Sequence, residues 1–155
     1  MTNRNQPWTP DFQRIHEVLD RWADERADAV ALQDMHTRLS YAELKAAVAA
    51  NAAQLRAHGV RPGDRLMLVA ENSVATAVLL LAGSALDAWV VVVNARLSAR
   101  EIDDFIEHSG ARRVVYMSHV SAQAAAHGVR HGAQAVELPA LGSLLLGPLA
   151  GNARA

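Results

Sequence analysis

The 155-residue sequence predicts an α/β protein with a mostly parallel sheet and helices on both of its faces. Three observations carry that class. Short runs rich in Val and Leu, at 66–69, 88–93 and 114–116, alternate with longer segments of helical spacing. Ser40, Ser73 and Ser98 stand where a hydroxyl can cap the helix that follows. The strand-like runs are continuously apolar rather than alternating, which is the pattern of strands covered on both faces. Parallel strands need crossover connections, and their carboxyl-end loops are where binding groups gather.

Taken in order, Phe12, Ile15, Val18, Leu19 and Trp22 recur at helical spacing behind Asp11 as a cap, giving one apolar face. Residues 29–33 and 37–39 then form two short runs around Asp34, Met35 and His36, the spacing of a hairpin. Ser40 opens the next helix, with Glu43 completing a capping box. Leu44, Val48, Ala52 and Leu55 continue it until Gly59, which can take the left-handed conformation that ends a helix. Arg61, Pro62, Gly63 and Asp64 turn the chain into the strand Leu66–Val69. Ser73 caps a helix reaching Leu86, and the strand Ala88–Val93 follows. Ser98 and Glu101 form a second capping box for a helix ending near Gly110, ahead of the strand Val114–Tyr116. A shorter helix, Ser121–Ala126, and a strand at Ala135–Leu138 complete the rhythm.

Composition narrows the function classes. The net charge of −1 gives no electrostatic footprint for nucleic acid or acidic lipid. No cysteine is present, which removes disulfides, thiolate metal sites and a thiol nucleophile, and suits a cytoplasmic protein. The polar arm 1–10 has no secretion-signal pattern. The uncharged run Asn72–Leu86 stops at Asp87, short of the roughly 20 residues a membrane helix needs, so it reads as a buried helix and not a span. Fourteen arginines accompany a single lysine, Lys45, so amine chemistry would fall on that residue alone, in an ordinary helix.

Five segments together resemble the start of adenylate-forming enzymes, and among them the acyl-CoA synthetases, or AMP-dependent synthetases and ligases. They are Leu39–Leu44, Gly59–Arg65, Glu71–Ser73, Asn94–Ser98 and Ser109–Arg112, in the family's order and approximate spacing. The resemblance covers 11–138. It implies the first subdomain of the family's large domain, and a reaction in which a carboxylic acid is activated by ATP with magnesium to an acyl adenylate, then transferred to coenzyme A, in fatty acid metabolism. It also implies a truncated chain. The family's Ser/Thr/Gly-rich phosphate loop ending in Lys, its Thr-Glu segment and its ribose-binding Asp have no counterpart among these residues. No catalytic, cofactor-binding or metal-binding residue is therefore expected, and the fragment is expected to be inactive alone. Asp87 stands where the family usually has Gly, Val92 where Pro is common, and Ala95 where Pro often follows the Asn.

Asn94 and Arg96 lie at the carboxyl end of a strand and are the loop candidates for touching ligand in a complete enzyme. Other polar residues have plainer expected roles. His58 and His108 precede helix-ending glycines, where a cation suits the helix dipole. Glu101, Asp103 and Asp104 crowd the positive end of one helix. His127 and His131 have metal-ligand spacing only in a helix, and Gly128 argues against one. Trp89 is expected to pack in a buried strand. The tail 139–155 is apolar but broken by Gly142, Gly147 and Pro148, and reads as a lead-in to a missing remainder. Apolar surface left uncovered by truncation predicts a homo-oligomer. A non-catalytic binding or assembly module on the same scaffold is the alternative.

Overall fold

The computed structural model describes residues 12–151. A single 3₁₀ turn at Ile15–Glu17 leads into α1 (Val18–Glu25), then β1 (Val30–Gln33), β2 (Arg38–Ser40), α2 (Tyr41–Ala57) and β3 (Arg65–Ala70). Next come α3 (Val74–Ala85), β4 (Trp89–Asn94), α4 (Ala99–Ser109), β5 (Arg113–Tyr116), α5 (Ala122–Arg130), β6 (Gln134–Leu138) and β7 (Gly142–Leu146). β1 and β2 form a small antiparallel hairpin, while the main sheet has the order β4-β3-β5-β7-β6. β4 and β5 run parallel to β3 on either side, and β7 returns antiparallel to both β5 and β6.

Local chemistry sets the helix starts. Ser40 accepts from Glu43 N at 3.2 Å while Glu43 Oε2 accepts from Ser40 N at 2.8 Å. Ser98 and Glu101 repeat the exchange, and Ser73 and Ser121 accept from the backbone N–H three residues on. Each cap satisfies donors that the first turn of a helix leaves without partners, typically worth about 1 kcal/mol. Gly59 (φ +93°) and Gly110 (φ +60°) end α2 and α4 in the left-handed conformation.

Two cores result from the period of the strands. Leu66 and Leu68 point to the face covered by α2 and α3, whereas Met67 and Val69 point to the face carrying α4 and α5. β5 alternates in the same way, with Val115 on the first face and Val114 and Tyr116 on the second. α3 lies against the sheet at Gly83, where a Cβ would collide with Val90 Cγ2.

The structure revises several expectations. The first helix begins later than Phe12: the Ile15–Glu17 turn precedes α1, Glu17 Oε2 accepts from Gln13 N and Arg14 N, and Asp11 lies outside the described residues. The strand at 88–93 is not covered on both faces, because β3 sits between β4 and β5 and leaves β4 at the sheet edge. Trp89 is accordingly 71% exposed rather than packed. α5 passes through Gly128 to Arg130, since that glycine is where the helix crosses closest to Tyr116 and Leu145. Residues after Pro139 do not form only a broken tail. Ala140 and Gly142 take positive φ (63° and 76°) and close a hairpin, so that β7 inserts between β5 and β6 with Leu144 and Leu146 buried.

Replacing Gly83 with Ala is expected to lower stability by about 1 kcal/mol net, since overpacking of roughly 1–3 kcal/mol outweighs the gain in helix propensity. Adding Val90→Ala should relieve the clash, giving a favourable coupling energy in a urea-unfolding double-mutant cycle.

Candidate functional site

Three parallel strands deliver their carboxyl ends to one edge of the sheet, and the residues just beyond them meet there. β3 ends before Glu71, β4 before Ala95 and Arg96, and β5 before the loop 117–121. Glu71 joins the three. Its Oε2 accepts from Arg96 Nη2 at 2.8 Å and its Oε1 from Ser121 Oγ at 2.9 Å. These bonds, the Arg96 one foremost, hold the Glu71 carboxyl below its ordinary pKa, so it is an anion at neutral pH. The Asn94 side chain accepts from Arg96 N at 2.9 Å, closing an Asx turn that aims the arginine toward Glu71.

His127 supports this loop from beneath. Buried in α5, its Nε2 lies 3.2 Å from Ala95 O and 3.1 Å from Leu97 O, so the ring donates to the loop's carbonyls. Sequence reasoning noticed His127 only as half of a possible metal pair. The helical spacing was the right signal, but its partner in the fold is backbone. His131 points elsewhere: Nε2 lies 2.7 Å from Asp103 Oδ1 and Nδ1 lies 2.5 Å from Tyr116 Oη. With Asp103 ionised, Nε2 carries the proton, and in the neutral ring Nδ1 accepts from the tyrosine hydroxyl. Asp103 also accepts from Arg130 at 2.8 Å, and its carboxyl is held below the usual range by His131 and Arg130. Burial pushes the Tyr116 hydroxyl pKa up, so the phenol stays protonated.

Of the other expected residues, Glu101 is the α4 cap and Asp104 lies 3.9 Å from Arg100. His58 closes α2, and its carbonyl accepts from Arg113 Nε and Nη2 at 2.9 and 2.8 Å. His108 lies in the last turn of α4. Lys45 pairs with Asp20 at 2.9 Å. Among the described residues no group of three His, Cys, Asp or Glu is placed to hold a metal ion.

A cleft of about 360 Å³ opens beside the strand ends, lined by Asp34, Thr37, Ser73, His119 and Leu141 among others. Asp34 Oδ2 accepts from Val74 N at 2.9 Å, and its Oδ1 from His36 N and Thr37 N. Those bonds, Val74 first, hold its carboxyl below the ordinary range, while burial lowers the pKa of His119. The hairpin is thereby fastened to the amino terminus of α3.

A layered α/β protein with its polar loops gathered at strand carboxyl ends is the class that these features define. The chain belongs to the AMP-binding enzyme family, whose model matches residues 19–148. It is 37% identical over 105 residues to feruloyl-CoA synthase of an Amycolatopsis species, covering 65% of this chain and 21% of that protein. With the long-chain-fatty-acid–CoA ligase FadD13 of Mycobacterium tuberculosis it shares 33% over 91 residues, 59% of this chain and 18% of the relative. The crystal structure of the N-terminal domain of FACL13 from the same organism superposes with a TM-score of 0.70 at 29% identity, over 79% of this chain and 31% of that one. The N-terminal subdomain of Klebsiella oxytoca NpsA gives 0.63 at 26%, over 67% and 27%. The chain thus spans about a fifth of the curated relatives' length.

Two outcomes test this geometry. Glu71, Asp34, Glu101 and Asp103 all have folded pKa values below their ordinary ones, so the folded state binds fewer protons than the unfolded one in acid. Their stabilisation is complete above the unfolded carboxylate range and is lost as pH falls through the lower folded values. The urea midpoint should therefore drop below about pH 4.5, and Glu71→Gln should make that acid limb shallower. Separately, His131→Ala should cost about 1–3 kcal/mol by leaving the Tyr116 hydroxyl without its partner. Combining it with Tyr116→Phe should recover part of that loss in the same measurement.

Proposed function

We propose that this chain is the amino-terminal portion of a carboxylic acid–CoA ligase, whose complete form activates a carboxylic acid with ATP and magnesium and passes the acyl group to coenzyme A. The observation that carries the reading is the AMP-binding match over 19–148, together with the 37% identity to a feruloyl-CoA synthase. Similarity to both an aromatic-acid and a fatty-acid ligase leaves the acyl class to experiment.

The residues in hand do not fit a nucleotide with its metal. Glu71 and Arg96 neutralise one another, and the only lysine, Lys45, sits within α2 bound to Asp20, away from any glycine-rich turn. No step of the reaction is therefore assigned to this chain. Its part is scaffold: the Glu71–Arg96–Ser121 bonds and His127 fix the three strand-end loops, and Asn94 and Arg96 are the positions proposed to face ligand once the remaining chain is present.

We read the protein as cytoplasmic and acting in fatty acid metabolism, without a nucleic-acid partner, and as assembling with itself through exposed apolar surface. No helix among the described residues is long and apolar enough to cross a membrane. A non-catalytic module on this scaffold is the competing reading, favoured by a stop codon directly after Ala155.

ATP–pyrophosphate exchange over a panel of aromatic and aliphatic carboxylic acids tests both. The 155-residue chain should be silent. Any longer product of the same reading frame should exchange with at least one acid, and a folded long product inert toward all of them sinks the ligase assignment.

A further inference from the structure

We propose that β4 is the surface through which two copies of this chain associate, edge to edge and antiparallel, so that their main sheets become one. This specifies the self-assembly put forward above. β4 is an edge strand, and nothing about it discourages pairing. Its residues, Trp89 through Asn94, carry no charge, no proline and no glycine, and its six-residue register with β3 has no bulge. Natural sheet edges ordinarily carry such devices to prevent association.

The backbone determines which atoms face outward. Trp89 N donates to Asp64 O at 2.8 Å and Ala95 N to Ala70 O at 3.0 Å, so the odd-numbered residues of β4 spend their N–H and C=O groups on β3. In a strand the alternate residues point the other way. Val90, Val92 and Asn94 therefore present their backbone groups to the edge.

A two-fold axis perpendicular to the sheet must pair residues that share a face, and hydrogen-bonded pairs require even-numbered residues opposite one another. Centring the axis on Val92 meets both demands. The two Val92 residues then exchange both of their bonds, and each Asn94 N–H meets the Val90 carbonyl of the other copy. On one face Val91 lies across from Val93 of the second copy, apolar against apolar. Trp89 and Val92, 71% and 49% exposed, are the large side chains this pairing would cover.

Charge favours the antiparallel sense. One end of β4 is followed by Arg96, whose side chain is 71% exposed, and the other is preceded by Asp87. Antiparallel pairing sets Arg96 of each copy beside Asp87 of the other, whereas parallel pairing would set like beside like. The groove along this edge, about 580 Å³ between Ile15, Leu80, Asp87 and Val90, lies where the Asn94–Arg96 turn of the second copy arrives.

Light scattering on the 155-residue chain at micromolar concentration should give twice the 16.7 kDa of one chain. Val92→Pro removes an outward N–H without touching the β3 ladder, and should return the monomer with its circular dichroism unchanged. Val92→Lys places a charge on the axis and should do the same, which serves if the proline variant fails to fold. Because the chain has no cysteine, Val92→Cys introduces a unique thiol. Across the axis its Cα atoms would stand about 5.5 Å apart, within the range of a disulfide. Mild oxidation should therefore cross-link it in high yield, and should not cross-link Met35→Cys, at a site 93% exposed. An oligomer that survives both Val92 variants overturns the β4 interface while leaving self-assembly standing, and a monomeric parent chain overturns both.

Discussion

The complete burial of β3 is the constraint on which the rest of this molecule depends. Leu66, Met67, Leu68 and Val69 have no exposed surface, and successive side chains feed opposite cores. A strand in that position needs neighbours on both edges and helices on both faces, because its N–H and C=O groups and its side chains must all be satisfied at once. β4 and β5 meet the first need. α2 and α3 on one side, and α4 and α5 on the other, meet the second.

The strand-end cluster follows from that arrangement. Three parallel strands in register bring Glu71, Arg96 and Ser121 together although they are far apart in sequence. The loops could otherwise splay, since each is short and exposed. A carboxylate between a guanidinium and a hydroxyl ties them, and His127 binds two carbonyls of the middle loop from the helix below. On the opposite face the Tyr116–His131–Asp103–Arg130 chain links β5, α5 and α4. Both networks sit where an element meets a neighbour that sequence alone does not identify.

The helices were legible because their signals are local. A serine followed three residues later by glutamate satisfies backbone donors within one turn, and glycine at positive φ ends α2 and α4 without help from the rest of the fold. Family resemblance was legible for a related reason, since most of its five segments are caps and turns. What the sequence could not report was adjacency. A valine run looks the same at the centre of a sheet and at its edge, so Trp89 was expected inside and is found outside. Gly128 argued against a helix on propensity, yet α5 needs it where the helix passes Tyr116 and Leu145.

The sequence by itself determined the α/β class, the order and approximate bounds of the elements, the caps and the family. Those features depend on spacing over a few residues, which the chain carries wherever it folds. Tertiary structure alone decided that β7 inserts antiparallel beside β5, that β4 is left at an edge, and that Glu71 rather than a ligand holds Arg96. Strand order is set by which apolar faces bury best against each other across the whole domain, and no local pattern encodes that choice.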